Sequence, residues 1–238
     1  MHGLTIGHLG WAHMIICGLM LNLNSDETHN GILKYCDFVN STDSEQCNKY
    51  TKASTDAGNI DLYNIYAPLC QDPAKNQGTS GSVSPLLLKV STNFDPCTDF
   101  YVYNYLNTPE VQMAFNAKPT NWDFCKCYNW TDDSPNTILP IVRTLMSSGI
   151  RDWLYSGDTD SIVPVTSSSY SINTYKLLIK TPWRAWYASN EVGGYVEEYE
   201  GLTFITVRGS GHLVPRYQPE RSLIMFSSFL QGTLPPWQ

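Results

Sequence analysis

Two short apolar runs in the second half of the chain each end in a polar loop. The first, Trp-Leu-Tyr at 153–155, is bounded by Ser and Gly and is followed by Asp158 and Asp160. The second, Leu-Thr-Phe-Ile-Thr-Val at 202–207, is followed by Arg-Gly-Ser-Gly and then by His212. Short apolar runs that end at turn residues are typical of buried strands. We therefore predict two strands whose ends present carboxylates and a histidine.

Helical patterns surround these strands. Ser25 is placed to cap one helix, and the pattern over 100–117 is helical with a break near Asn107. Pro135 suits the first turn of a later helix, and Gly149 suits its end. Because a helix followed by a buried strand is half of an alternating unit, the sequence predicts the α/β class. Further helices are predicted after Pro164 and over Pro219–Leu230.

Two other segments have patterns of regular secondary structure. Ile60–Cys70 has the pattern of the beginning of a strand or a helix. Residues 183–199 predict a hairpin, in which Gly193-Gly194 would form part of the turn.

Residues 71–92 predict an exposed linker. They are rich in Pro, Gly and Ser and show no periodicity. Exposed loops of this composition are preferred sites of proteolytic cleavage. Cys70 and Cys97 lie on either side, so a disulfide could hold both ends together after a cut.

Composition excludes some classes of partner. At 238 residues the chain has room for one large domain or two small ones. Its net charge of −7 and the lack of a basic stripe argue against a nucleic-acid partner. Residues 9–23 are mostly apolar but too few to span a bilayer, so no membrane association is predicted. No Lys or Arg precedes them, which favours a buried helix over a signal peptide.

The seven cysteines indicate an oxidising compartment rather than a metal site. Cys125 and Cys127 are too close together for the usual zinc spacings, and we expect neither a metal nor a cofactor. Cys36 and Cys47 enclose a polar loop, and they either form a small disulfide or remain two separate thiols. Sequons at Asn40 and Asn129 would accept glycans in a secretory protein.

The polar strand ends suit the acid and base of a catalytic triad. Asp160 lies beyond the tight turn and is the better candidate for the orienting carboxylate, whereas Asp158 would bond the turn backbone. His212, flanked by flexible backbone, would be the general base. The alternative is simple turn chemistry for the carboxylates and a surface-loop histidine.

A nucleophile for such a triad is not found. The chain contains no Gly-x-Ser-x-Gly elbow. Ser210 shares a loop with His212, and Ser167, Ser168 and Ser169 fall in a predicted helix without an obvious base. Gly193-Gly194 reads as a hairpin turn rather than as an oxyanion site.

Long motifs around these residues resemble those of plant serine carboxypeptidases. Gly-Asp-Thr-Asp-Ser-Ile-Val-Pro-Val-Thr from 157 and Val-Arg-Gly-Ser-Gly-His-Leu-Val-Pro from 207 are similar to that family's Asp and His motifs. The likeness runs from residue 25 almost to the end of the chain, through Ser-Asp-Glu-Thr at 25–28 and Asp-Pro-Cys at 95–97. It implies an α/β-hydrolase fold in which Asp160 is the triad acid and His212 the triad base.

The resemblance also implies covalent features. It implies disulfides Cys36–Cys47 and Cys70–Cys97, and Cys125 resembles a family cysteine that normally bonds to one far upstream. The segment between Cys70 and Cys97 resembles one that is excised from some relatives, which leaves two disulfide-linked chains. A secretory location, extracellular or vacuolar, is implied as well.

Relatives are roughly twice as long, and the chain resembles only their C-terminal part. We therefore expect residues 1–93 to form a cap or insertion region with the linker 71–92. Residues 94–238 are expected to form the C-terminal part of the hydrolase core, without the N-terminal strands and the nucleophile elbow. The exposed sheet face and edge would then require a complementary N-terminal chain or a homodimer.

The resemblance leaves the reaction open between two classes. The first is a carboxypeptidase that releases C-terminal residues from a peptide substrate through an acyl-enzyme, and that is inactive as this chain alone. Acyltransferases and hydroxynitrile lyases are alternatives within the same family. The second class is a non-catalytic binding protein.

Overall fold

The computed structural model describes residues 23–36, 44–52, 57–70, 94–124 and 137–238. The predictions for the linker 71–92, the sequons at Asn40 and Asn129, Cys125 and Cys127 lie outside the described residues. The chain forms two compact units, one of Met1–Tyr66 with Pro135–Gln238 and the other of Ala67–Ser134. None of the helices in the described ranges is long and apolar enough to cross a membrane.

The first unit begins with two helices linked by a disulfide. Helix α1 covers Asp26–Tyr35, and the Ser25 hydroxyl accepts a hydrogen bond from the Thr28 N–H, as predicted for an N-cap. Helix α2 covers Glu45–Lys52. The Cys36–Cys47 disulfide, with Cα atoms 4.8 Å apart, joins the end of α1 to α2.

The second unit contains helices α3, Thr98–Leu106, and α4, Pro109–Ala114. The predicted break between them is present, and the Asn107 side chain at this break bonds the backbone of Trp122 in both directions. The Cys70–Cys97 disulfide places the Cα atoms on either side of the linker 4.8 Å apart.

The rest of the first unit is a four-stranded mixed sheet with helices. Along the chain follow α5 Leu139–Ser147, β1 Asp152–Gly157, α6 Val165–Asn173, β2 Ile179–Ala188, β3 Glu191–Tyr199, β4 Leu202–Val207, α7 Val214–Tyr217 and α8 Pro219–Gln231. The strand order is β1-β4-β3-β2. Strand β1 is parallel to β4, and the other neighbours are antiparallel.

Alternate side chains of the strands build a core on each face of the sheet. On one face Met225 of α8 packs against Trp186, Val196 and Ile205. On the other face Ile172 of α6 packs against residues of β3 and β4, namely Tyr199, Leu202 and Phe204. The six residues of β4, one of the two interior strands, are all buried.

The predicted hairpin is present, but its turn is not where the glycines suggested. Ser189 and Asn190 form the two-residue turn, with φ of 49° and 66°, as a type I′ turn requires. Gly193 and Gly194 lie inside β3 instead. A Cβ on Gly193 would be 2.3 Å from the Trp186 ring, so the glycine makes room for that buried indole.

Within the described residues, β1 is an edge strand that pairs only with β4. Tyr155 on this strand is 51 % exposed, and Phe226 and Leu230 of α8 are 55 % and 65 % exposed. Val142 is the buried residue of α5. Large apolar side chains are therefore open to solvent at the edge strand and on its covering helices.

Candidate active site

The parallel pairing of β1 with β4 brings the two polar loops together. Gly157 at the end of β1 is in register with Val207 at the end of β4. Both strands therefore end at the same edge of the sheet, and the chain that leaves each strand enters the same region. A Cβ on Gly157 would be 2.2 Å from the backbone oxygen of Ser210, so this glycine permits the close approach of the two loops.

Asp160 is a buried carboxylate held by its own turn. The residue is 4 % exposed. Its Oδ1 accepts hydrogen bonds from the backbone N–H groups of Ile162, at 2.8 Å, and Val163, at 3.1 Å. Its Oδ2 lies 2.9 Å from Nδ1 of His212. One oxygen is thus fixed by the backbone while the other faces the imidazole.

His212 presents the other half of this pair. Its side chain is 35 % exposed, whereas that of Asp160 is 5 % exposed. The Asp160 carboxylate accepts from Nδ1–H, which selects the tautomer that leaves the Nε2 lone pair for proton transfer. The geometry is that of a general base oriented by a buried acid.

Asp158 ties the two loops together. Its Oδ1 accepts a hydrogen bond of 2.6 Å from the N–H of Gly209 in the histidine loop. Burial raises the pKa of the Asp158 carboxyl, although hydrogen bonds from Gly209 and Ser210 act in the opposite direction. A second link runs from the N–H of Thr159 to the oxygen of Ser210, at 2.9 Å. Asp158 therefore bonds backbone groups, as expected, and those of the histidine loop are among them.

Ser210 is placed where it cannot attack a substrate. It is 0 % exposed. Its hydroxyl donates to the backbone oxygens of Gly211, at 3.3 Å, and Val214, at 3.4 Å. Ser167, Ser168 and Ser169 lie on α6 as predicted. Within the described residues, no group of three or more His, Cys, Asp or Glu side chains is arranged to hold a metal ion.

The sequence reasoning missed a third contributor, Asp61–Tyr66, which we call the bridging segment. It was expected to begin a strand or helix, but it forms turns. Asp61 and Asn64 each accept, through their side-chain oxygen, the N–H two residues further on. Short polar side chains that bond the backbone in this way favour turns. The spacing of Asp61 and Asn64 was the signal that could have corrected the prediction.

The bridging segment contacts both loops of the pair. The backbone carbonyl oxygen of Tyr63 accepts a hydrogen bond of 2.8 Å from the backbone N–H of His212. The Asn64 Oδ1 accepts one of 2.9 Å from the hydroxyl of Thr159. The site is thus built from three parts of the chain, two at strand ends and one far upstream.

Comparisons with known proteins show the family of the chain. The sequence model of the serine carboxypeptidase family matches residues 9–232. Serine carboxypeptidase-like 22 of Arabidopsis thaliana is 42 % identical over 93 % of this chain and 49 % of its own length. Serine carboxypeptidase 24 of the same plant is 41 % identical over the same shares of both chains. The chain spans about half the length of the curated relatives it matches.

A solved structure shows the same fold. Kex1(Δ)p, a prohormone-processing carboxypeptidase from Saccharomyces cerevisiae, superposes with a TM-score of 0.56 at 15 % identity. The match covers 93 % of this chain and 52 % of the yeast protein. The fold is accordingly that of the α/β-hydrolases, with part of the sheet represented in the described residues. The chain belongs to the serine carboxypeptidase family.

Proposed function

We propose that Asp160 and His212 are the acid and base of a serine carboxypeptidase that releases C-terminal residues from peptides. The observation that carries the proposal is the 2.9 Å contact between Asp160 Oδ2 and His212 Nδ1, with the acid buried and the imidazole partly open. In the reaction, His212 Nε2 takes the proton of a serine hydroxyl as that oxygen attacks the scissile carbonyl. The imidazolium then gives this proton to the leaving amine, and water hydrolyses the acyl-enzyme by the reverse proton transfers.

We further propose that the serine and the oxyanion donors come from polypeptide other than these 238 residues, since the sequence contains no Gly-x-Ser-x-Gly elbow. The free edge of β1 and the exposed Tyr155, Phe226 and Leu230 support this, because a complementary chain or a second copy would cover them.

The disulfides and the sequons support a secretory protein. Both disulfides are of the kind that persists in an oxidising compartment. Asn40 and Asn129 are the proposed glycan acceptors. We propose an extracellular or vacuolar location on these grounds. Digestion with an N-glycosidase should lower the apparent mass of the protein from its source.

A non-catalytic binding protein is the second candidate, and the missing serine elbow is the observation that favours it. Under this hypothesis Asp160 and His212 would serve only to join the two loops.

Labelling with a fluorophosphonate probe separates the candidates. The purified chain should remain unlabelled, whereas a larger species or complex from the source that contains its peptides should be labelled. In that species His212→Gln should abolish labelling, since the serine loses its base. Labelling of the purified chain itself would refute the need for an outside nucleophile. A source complex that contains the chain and is never labelled would support the binding protein.

A further inference from the structure

The bridging segment holds the residues on both sides of Asp160. The Leu62 oxygen accepts hydrogen bonds from the N–H of Ser161, at 3.1 Å, and from its hydroxyl, at 2.6 Å. On the other side, the N–H of Ile65 donates to the oxygen of Thr159 at 3.1 Å. Asp160 therefore lies in a loop whose two neighbouring residues are fixed to the same upstream segment.

Asn64 adds a side-chain bond at the centre of this contact. It is 6 % exposed, and its Oδ1 accepts from the Thr159 hydroxyl at 2.9 Å and from the Tyr66 N–H at 3.2 Å. Both partners of the Asn64–Thr159 bond are buried, so losing the Asn64 amide deprives the buried Thr159 hydroxyl of this acceptor. The bond is therefore a sensitive link between the segment and the carboxylate loop.

Tyr63 acts on the histidine side. Its backbone carbonyl oxygen accepts the hydrogen bond from the His212 N–H. Its ring meets the imidazole edge to face, with centroids 5.3 Å apart and planes at 70°. This geometry is a favourable one for aromatic pairs. A ring in this position limits the rotation of the imidazole about its side-chain bonds. The same segment thus restrains the base through Tyr63 and the acid through Asn64.

We infer that Tyr63 and Asn64 are positioning residues that hold Asp160 and His212 at hydrogen-bonding distance. Neither residue is assigned a part in proton transfer. Asn64 acts through Thr159 on the acid, and Tyr63 acts directly on the imidazole of the base. The catalytic meaning of this role rests on the proposed function, but the role itself concerns only the geometry of the pair.

The test observes the Asp160–His212 hydrogen bond directly. In the chain labelled with ¹⁵N-histidine, the His212 Nδ1–H should give a low-field proton resonance, which His212→Gln removes. Tyr63→Ala and Asn64→Ala should each abolish or broaden this resonance through exchange with water, because the pair is no longer held together. Thr159→Val, which removes only the hydroxyl donor from a side chain of similar shape, should weaken it in the same way.

Matched variants separate positioning from a general loss of structure. Tyr63→Phe keeps the ring and Thr159→Ser keeps the hydroxyl, so both should retain the resonance. Tyr66→Ala changes an exposed tyrosine of the same segment, 79 % exposed, and should also retain it. Each variant is compared at a temperature where its circular dichroism matches that of the wild type.

The inference is overturned if the resonance survives unchanged in folded Tyr63→Ala and Thr159→Val. It is also overturned if Tyr63→Phe and Thr159→Ser lose the resonance as fully as the disruptive variants do. Fluorophosphonate labelling is scored separately. A wild-type resonance with the expected variant pattern supports the positioning role even if no species containing the chain is ever labelled.

Discussion

Gly211→Ala should be among the most damaging single-methyl changes in the chain. A Cβ on Gly211 would lie 1.9 Å from the Tyr63 oxygen and 2.9 Å from the Asn64 Cα. Ordinary van der Waals contact begins near 3.4 Å, so the bridging segment would have to retreat by about 1.5 Å. The obstacle is backbone and cannot rotate out of the way.

The cost follows from the contacts that such a retreat breaks. Forcing a methyl group into a packed site costs about 1–3 kcal/mol. The bonds from the His212 N–H to Tyr63 and from Thr159 to Asn64 would stretch, and each contributes about 1 kcal/mol. We expect Gly211→Ala to lower the free energy of unfolding by about 3–5 kcal/mol.

Gly209→Ala in the same loop is the matched control. Gly209 has a φ of +71°, and the nearest atom to its added Cβ is Gln218 Nε2, at 3.1 Å, on a flexible side chain. Gly209→Ala should lower the free energy of unfolding only because alanine disfavours the left-handed backbone conformation, by about 1–2 kcal/mol. Urea unfolding followed by tryptophan fluorescence measures both variants. If Gly211→Ala costs no more than Gly209→Ala, the bridging segment does not pack against the histidine loop as described.

Three further predictions concern other parts of the molecule. Burial raises the pKa of Asp158 above its unfolded value, so the stability it contributes is complete below about pH 4 and is lost as the pH rises through the raised pKa. Asp158→Asn should therefore flatten the pH dependence of the unfolding midpoint over that interval, and an unchanged slope would refute this assignment. Limited trypsin digestion should cut within 71–92, and the two products should separate on a gel only after reduction of Cys70–Cys97; separation without reduction would show that the bond does not form in solution. Trp186→Ala should cost about 3–5 kcal/mol in urea unfolding, since the indole is 0 % exposed and donates to the Thr206 oxygen, and a loss below about 1 kcal/mol would contradict the packing of β2 on β4.

The parts that the sequence predicted well are those with a local signal. The strands before Asp160 and His212 are short apolar runs, and turn residues mark where each run ends. Their pairing also follows a simple rule, because residues that leave two neighbouring parallel strands at the same edge come close together. The nearness of Asp160 and His212 was accessible from the sequence for this reason.

The parts that were missed depend on contacts between distant residues. Asn64 and Thr159 are 95 residues apart, so no local pattern reveals that they meet. Gly193 was read as a turn residue because glycine pairs often form turns, whereas here it accommodates Trp186 from the neighbouring strand. In both cases packing between separate elements decided the structure, and propensity did not.

The long separation between the bridging segment and the loops it contacts has a consequence for a cut chain. Before a cut in 71–92, the segment and the Asp160 loop belong to one polymer, and the entropy of closing the loop between them changes slowly with its length. After a cut, Tyr63 and Asn64 lie on one polypeptide, while Asp160 and His212 lie on the other.

The Cys70–Cys97 bond then determines how often these two polypeptides meet. While it is intact, the bridging segment is tethered near its loops at an effective concentration on the order of millimolar. Once it is reduced, that value falls to the concentration of the protein itself. The disulfide would thus make the geometry of a cleaved site independent of dilution. Reduction would make that geometry depend on the protein concentration.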